Sequence, residues 1–231
     1  MRQPSPDMGT HAMLRAAGVG SGDEVIVPAY GNAEVAEAVV LAGAMPVFAD
    51  IDPLTYCLDP VAVDAVTTPR TAAVIAVHRF GNQADTAGLR TLGRRNGFLV
   101  LEHREPETPQ DGSAQRRAYA TYLNGRLTGV ITPAENAPHS DQYVVRVPGN
   151  GRPDRDAFAR AVRARGVDCH VPVKTPLHRT PKYWRDVELP ETERAADETL
   201  ALPVDASLTR RELQRIVSAC NALGGLLQAA F

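Results

Sequence analysis

The feature that most constrains the fold is the alternation, in the first half of the chain, of short Val- and Ile-rich runs with helix-like stretches. The runs are bounded by Gly, Pro or Asp and predict buried strands at 24–28, 46–49, 72–77 and 98–101. The stretches between them predict helices at 33–41, 60–66 and 84–95. Because alternating strands and helices are typical of a parallel sheet covered by helices, we expect an α/β fold class.

The second half of the chain follows a different pattern. Residues 105–112 contain two prolines and no hydrophobic period, so this stretch predicts a linker or surface loop. Beyond it we expect strands at 142–147 and 167–171 and helices at 113–127, 154–165, 191–200 and 208–227. The sequence therefore predicts a large domain at 1–112 and a small α+β domain at 113–231.

Composition excludes several classes of protein. The chain has 231 residues, 44% of them hydrophobic, and a formal net charge of −2, so a packed core is expected and a nucleic-acid partner is not. No apolar run is long enough for a membrane span and no secretory leader is evident, so we expect no membrane association. Three widely spaced cysteines favour neither a disulfide framework nor a zinc site, and a reducing cytoplasm is expected.

Polar residues that follow the predicted strands form the candidate site. Ligands of parallel α/β sheets bind outside the carboxyl ends of the strands. Histidine titrates near neutrality, so two histidines with neighbouring carboxylates suit acid–base chemistry, although strand-end charges also form simple surface ion pairs. The residues at these ends are Tyr30, Gly31 and Asn32, then His78 and Arg79, then Glu102, His103, Arg104 and Glu105.

Other motifs leave alternatives open. Lys174 and His178 lie in a Pro-rich stretch at 172–181 that is either a ligand-facing loop or a solvated connector. Asp50 and Asp52 fit a turn better than a metal pair, so no metal is expected. The glycine-rich run at 18–22 follows a helix and precedes a strand, which is the reverse of a dinucleotide-binding loop.

Several collinear segments resemble the DegT/DnrJ/StrS sugar aminotransferases. The run Gly-Val-Gly-Ser-Gly-Asp-Glu-Val-Ile-Val-Pro at 18–28 is similar to a characteristic family run. So are Leu-Ala-Gly-Ala-Met-Pro-Val-Phe-Ala-Asp at 41–50, Leu-Val-Leu-Glu at 99–102, and Pro-Leu-His at 176–178. The resemblance covers about residues 7–103 and 116–225. It implies the fold of type I enzymes that use pyridoxal phosphate (PLP) to transfer amino groups to keto-sugars.

The same resemblance implies that the PLP machinery is altered. The region of the family's PLP lysine is absent, and Lys174 and Lys182 lie beyond the large domain predicted at 1–112. The aspartate that pairs with the pyridine nitrogen corresponds to His103, and the aromatic residue that stacks on the ring corresponds to Asn32. Of the phosphate cradle only Gly9 and Thr10 remain. We therefore expect a shortened member that has lost PLP and has no other cofactor.

Three functions follow from this expectation. The first is a PLP-independent enzyme of specialised-metabolite or deoxysugar biosynthesis, catalysing isomerisation, dehydration or cyclisation. In it His103 is the acid–base group, Glu105 or Glu102 orients it, and Arg104 binds an anion. The second is a non-catalytic partner subunit of an intact aminotransferase or another pathway enzyme. The third is residual sugar aminotransferase activity, with the lysine supplied by a partner.

The expected partners are a small-molecule substrate and a second protein chain. By resemblance, the missing strands would leave a central strand of the sheet at its edge, and an unpaired edge favours pairing with another chain. We expect a homodimer, with a heterodimer as the alternative.

Overall fold

The structure is a computed structural model that describes residues 6–31, 33–104, 113–133, 142–148 and 154–228. It divides into two compact units. The first comprises Met1–Pro106 and Thr175–Glu193, and the second comprises Glu107–Lys174 and Arg194–Phe231.

The first unit contains a four-stranded parallel sheet with the strand order β2-β1-β3-β4. Its strands are β1 (Glu24–Pro28), β2 (Met45–Ala49), β3 (Thr71–His78) and β4 (Leu99–Arg104). Its helices are α1 (Pro6–Ala16), α2 (Ala33–Leu41), α3 (Pro60–Val66) and α4 (Thr86–Asn96). The α/β fold class with a parallel sheet is confirmed.

Both faces of this sheet are covered. Side chains of a strand alternate between its two faces. In β3, Ala73, Ile75 and Val77 belong to one apolar cluster, whereas Val74 and Ala76 belong to another. A strand buried on both faces needs a continuous apolar run, which explains why the Val- and Ile-rich runs identified these strands.

Short polar signals fix the helix ends. The Asp59 carboxylate accepts a hydrogen bond from the Val61 N–H at 2.9 Å and caps α3, whose first residue is Pro60. Helix α4 ends at Gly97, which has φ +85° and donates its N–H to the Gly93 carbonyl. That left-handed conformation is the one for which glycine is favoured.

The segment 175–193 belongs to the first unit, although the predicted boundary at residue 112 assigns it to the second domain. The reason is apolar contact, because Leu177, Tyr183 and Leu189 are buried in a core cluster of the sheet. The Leu177 N–H also donates to the Ala29 carbonyl at 2.9 Å. A 3₁₀ turn, Leu177–Arg179, lies within this segment.

The second unit is α+β. Strands β5 (Gln142–Arg146) and β6 (Thr199–Pro203) pair in antiparallel orientation. Its helices are α5 (Ser113–Asn124), α6 (Asp154–Ala164) and α8 (Arg210–Gln228). Helix α7 (Pro190–Glu198) begins in the first unit and ends in the second. Alternate residues Tyr143, Val145 and Val147 lie in one core cluster, as their spacing predicts.

One predicted element of the second half is wrong, and a predicted helix ends two residues earlier than expected. The stretch 167–171 forms no strand and pairs only through an isolated bridge between His170 and Ala201. The helix predicted at 191–200 ends at Glu198, because Thr199 begins β6 and pairs with Arg146. Whether these residues form a strand depends on pairing with residues far away in sequence, and the local pattern of apolar residues carries no information about that pairing. No helix among the described residues is long and apolar enough to cross a bilayer.

Candidate functional site

A small cavity lies at the carboxyl ends of β1, β3 and β4, where the sequence places the candidate residues. It encloses about 10 Å³, and its empty space is about 310 Å³ when the open solvent at its mouth is counted. It lies entirely within the first unit. Its lining residues are Pro28, Tyr30, Gly31, Glu34, Val35, Val77, Arg79 and His103.

His103 is, beside Glu34, a lining residue with acid–base capacity. It is 6% exposed, and its Nδ1 atom lies 2.8 Å from the hydroxyl oxygen of Thr10, which is 1% exposed. The hydrogen bond joins β4 to α1 and fixes the plane of the imidazole ring. Thr10 and His103, which sequence and resemblance identified separately, are therefore direct partners.

Arg79 lines the cavity from the strand end at which the sequence places it, although no role was predicted for it. It is 4% exposed, and its guanidinium carbon lies 5.5 Å from the centre of the Tyr30 ring and 5.0 Å from that of Phe80. Both distances are within the range of cation–π attraction. Its position directly after a predicted strand, beside His78, is the signal that identifies it.

An aromatic cluster surrounds this arginine. The Tyr30 ring stacks on Tyr56 at 5.8 Å and meets Phe80 edge-on at 6.2 Å. Tyr56 and Phe80 have φ of +60° and +50°, which is unfavourable for residues with bulky side chains. Such strain persists only where surrounding contacts over-determine it, and it is concentrated at binding and catalytic sites.

His78 does not line the cavity. Its Nδ1 accepts a hydrogen bond from the Ala84 N–H at 3.2 Å, so the imidazole supports the turn that follows β3. Its Nε2 lies 3.5 Å from a carboxylate oxygen of Glu102. The other oxygen of Glu102 accepts from Arg90 at 2.6 Å. The structure therefore places His78 and Glu102 in a polar network beside the site, in which Glu102 forms an ion pair with Arg90.

The remaining candidate residues are dispersed. Arg104 is exposed at the end of β4, and Lys174 is exposed in the second unit. Tyr30 is fully buried at the cavity wall. Asn32 and Glu105 lie outside the described residues.

His178 is completely buried in the segment 175–193. Its Nε2 lies 3.1 Å from the Glu193 carboxylate, which also accepts two hydrogen bonds from Arg179. The hydrogen bond with His178, followed by that with Arg179, holds the pKa of Glu193 below its ordinary value. This arrangement gives His178 a structural partner rather than a ligand-facing position.

Asp50 and Asp52 serve turns and helix ends, as the turn interpretation expects. The Asp50 carboxylate accepts hydrogen bonds from the N–H groups of Glu191 and Thr192. Asp52 accepts from the N–H groups of Leu54 and Thr55. Among the described residues no group of three His, Cys, Asp or Glu side chains is arranged to hold a metal ion.

Comparison with protein families identifies a match along most of the chain. The family described as the DegT/DnrJ/EryC1/StrS aminotransferase family matches residues 7–103 and 110–221. A pleiotropic regulatory protein of Geobacillus stearothermophilus is 46% identical over 92 residues, which are 40% of this chain and 25% of that protein. The L-glutamine:scyllo-inosose aminotransferase of Streptomyces griseus is 47% identical over 89 residues, 38% of this chain and 21% of that enzyme. The matched region thus spans a quarter or less of these relatives.

Solved structures share the fold. DesV of S. venezuelae, in complex with a ketimine intermediate, superimposes with a TM-score of 0.82 at 24% identity, covering 95% of this chain and 83% of DesV. NtdA of Bacillus subtilis, with bound cofactor PMP, gives a TM-score of 0.85 at 19% identity, covering 95% of this chain and 72% of NtdA. The predicted aminotransferase type I fold is confirmed.

These comparisons contradict the expectation that the protein has no cofactor. The family is one of aminotransferases, and the NtdA structure contains PMP, the amino form of PLP. The comparisons therefore point to PLP. The expectation rested on several losses taken together: the absent region of the PLP lysine, His103 in place of a carboxylate, Asn32 in place of an aromatic ring and a reduced phosphate cradle. These losses do not establish that the protein binds no PLP.

The cavity lining fits part of what PLP requires. The Arg79 guanidinium can pair with a phosphate, and the imidazole of His103 can exchange a proton with a bound ligand. None of the described lining residues is a lysine. Lys182 in the same unit is exposed and donates to Glu37 at 2.7 Å. The lining thus provides a cation for a phosphate and no lysine for a covalent bond, and its enclosed space of about 10 Å³ is that of about one water molecule.

Proposed function

Because this chain belongs to the DegT/DnrJ/EryC1/StrS aminotransferase family, we propose that it is a small-molecule enzyme in which His103 transfers a proton to or from a bound keto-sugar-type ligand. The observation that carries the proposal is the buried 2.8 Å hydrogen bond between Thr10 and His103 at the cavity wall. It supports a histidine that is held in one orientation, as proton transfer requires.

Each residue has a distinct part in this proposal. The Thr10 hydroxyl engages Nδ1 of His103, so transfer to the ligand is assigned to the other ring nitrogen, Nε2. Thr10 is thus a positioning residue, and His103 is the catalytic one. PLP, when bound, supplies an electron sink for charge that develops on the substrate carbon.

The experiment follows proton exchange into a ketone. The protein is incubated with PMP and scyllo-inosose, with or without L-glutamine, in D₂O, and mass spectrometry detects deuterium incorporation or an aminated product. UDP-2-acetamido-2-deoxy-3-oxo-D-glucuronate, the substrate named for a Pseudomonas aeruginosa relative, serves as a second ketone. We expect exchange or amination with at least one ketone.

The variants separate catalysis from folding. His103→Gln is expected to slow the reaction by about 100-fold or more, since general acid–base groups contribute about 10²- to 10⁴-fold. His170→Gln, at an exposed histidine of the second unit, is the matched control and keeps the full rate. No reaction with either ketone, or an equal rate in His103→Gln, contradicts the proposal.

The edge strand of the parallel sheet favours a second candidate function, that of a non-catalytic partner subunit of another enzyme. Strand β4 has one neighbour, β3, in the four-stranded sheet, and its first residue Leu99 is 49% exposed. Such an edge favours pairing with a second copy or with an intact family member. Native mass spectrometry tests this pairing, with a dimer expected. The contrary result is a protein that is monomeric at micromolar concentration and that, used as bait in a pull-down from the host, recovers no other family member.

A further inference from the structure

The parallel sheet of the first unit has two outer strands, and they differ in how they are protected. Among the described residues these strands are β2 and β4. An outer strand favours pairing with another chain unless prolines or charges protect it. Strand β2 contains Pro46, which has no N–H to offer to a further strand. Strand β4 contains no proline, so β4 is the edge that is open to pairing.

The amino-acid sequence of β4 is that of an inner strand. Leu99, Val100 and Leu101 form a continuous apolar run, which is typical of parallel strands that are buried on both faces. Leu101 packs against one core cluster of the sheet and Val100 against the other. Both are nevertheless only half-buried, and Leu99 is 49% exposed. The strand thus has apolar side chains for two covered faces but a neighbouring strand on one side only.

A second copy of β4 satisfies this edge, and symmetry restricts how it pairs. Two identical strands in antiparallel orientation about a twofold axis place one residue opposite its own counterpart. Pairing of five of the six residues of β4 requires that this residue is Leu101 or Glu102. Two Glu102 carboxylates directly opposite each other would be destabilising. With Leu101 at the centre, Val100 lies opposite Glu102 and Leu99 lies opposite His103.

The charged residues of β4 are compatible with this register. The two Glu102 residues become diagonal neighbours about 7–8 Å apart, and each pairs with Arg90 of its own chain at 2.6 Å. Arg104, the last residue of β4, lies beyond the paired residues and stays exposed. His103 of one copy lies opposite Leu99 of the other. Each copy therefore contributes an apolar side chain beside the residue proposed to transfer a proton.

We propose that the chain forms a homodimer in which β4 pairs with β4 of a second copy, with Leu101 opposite Leu101, so that the two sheets become one. Strand β2, with its proline, then forms both outer edges of the combined sheet. The inference rests on the same edge as the second candidate function, and it adds the occupant of that edge and the register of the pairing.

A cysteine at position 101 tests the register directly. Opposed residues of antiparallel strands have Cα atoms about 4.5–5.5 Å apart, within the range of about 4.4–6.8 Å that a disulfide requires. In Leu101→Cys, oxidised glutathione accepts two electrons from the opposed thiols, and we expect a disulfide-linked dimer on non-reducing gels. The native cysteines, Cys57, Cys169 and Cys220, are buried and do not compete.

Leu99→Cys is the control for this crosslink. In the proposed register the two copies of residue 99 are four positions apart along the strands, which is about 13 Å. That separation is too long for a disulfide, so we expect no linked dimer, although Leu99 is more exposed than Leu101.

Leu99→Lys and Met45→Lys form a second matched pair. Leu99 and Met45 are each the first residue of an outer strand, and they are 49% and 43% exposed. Leu99→Lys places a charge in the proposed interface, and we expect dimerisation measured by analytical ultracentrifugation to weaken about tenfold or more. Met45→Lys makes a similar change at the other edge and should leave dimerisation unchanged.

A wild-type protein that is monomeric at micromolar concentration overturns the inference. So does a dimer that Leu101→Cys does not link, since such a dimer pairs through another surface, and this outcome leaves the second candidate function intact. A linked homodimer that recovers no other family member supports the inference and removes that function. If Leu101→Cys does not fold, Val100→Cys and Glu102→Cys proteins are mixed; a disulfide between them supports the register, and its absence overturns it.

Discussion

Asp50 joins two parts of the first unit that are far apart in sequence, and its replacement tests how the segment 175–193 is held. Its carboxylate accepts hydrogen bonds from the N–H groups of Glu191 at 3.0 Å and Thr192 at 2.7 Å. These groups lie in the first turn of α7, where N–H groups have no partner within the helix. The helix begins at Pro190, which has no N–H to satisfy.

The expected cost follows from these contacts. Loss of a helix cap costs about 0.5–2 kcal/mol, and a hydrogen bond to a charged group contributes about 1.5–3 kcal/mol. Since the two estimates describe overlapping interactions, we expect Asp50→Ala to cost about 2–3 kcal/mol. Asp50→Asn keeps an acceptor oxygen but loses the charge that favours a helix N-terminus, so about 1 kcal/mol is expected.

Hydrogen exchange measured by mass spectrometry on peptides covering 187–194 reads this effect directly. A loss of 2 kcal/mol in local stability corresponds to about 30-fold faster exchange of the Glu191 and Thr192 amides. Asp186→Ala makes the same chemical change at an exposed position of the same segment and is the control. Equal exchange rates and equal urea midpoints in Asp50→Ala and the control would refute this account of how α7 is anchored.

Three further predictions concern pH, reactivity and packing. The lowered pKa of Glu193 means that its pairing with His178 stabilises the fold above its ordinary pKa of 4.5 and is lost as the pH falls through the lowered value. Glu193→Gln should therefore reduce the pH dependence of urea midpoints between about pH 3 and 6, and an unchanged slope is the contrary result. Burial raises the pKa of Cys57 to about 11, so DTNB should label it only after unfolding, and rapid labelling of the native protein would contradict this. Gly93→Ala places a Cβ 2.6 Å from a backbone oxygen and should lower the free energy of unfolding by about 1–3 kcal/mol. Gly20→Ala, whose Cβ would have its nearest atom at 3.9 Å, is the control and should be nearly neutral. Equal urea midpoints of the two variants would show that the backbone adapts.

Local sequence signals predicted the first unit well because its elements are locally determined. Strand β1 and helices α2 and α3 match their predicted bounds, since apolar runs, capping residues and prolines mark each end. Strand β4 extends to Arg104, three residues beyond its apolar run, because pairing with β3 continues there. Strand β6 was missed because its partner β5 is distant in sequence.

The candidate site was only partly predictable for a similar reason. The rule that ligands bind at strand carboxyl ends identified Tyr30 and His103, both of which line the cavity. It does not report which way a side chain turns, and His78 turns toward the Ala84 backbone. The importance of Arg79 depends on two aromatic rings and a glycine contributed by separate parts of the chain.

The apolar cover that Leu177, Tyr183 and Leu189 give the sheet has a consequence for biosynthesis. The chain leaves the ribosome from its N-terminus, so all four strands of the first sheet emerge well before the segment that completes their core. Until then, part of the nascent apolar surface faces solvent or a chaperone. Expression of residues 1–112 alone would make that exposure permanent, and such a fragment should aggregate even though it contains the whole parallel sheet.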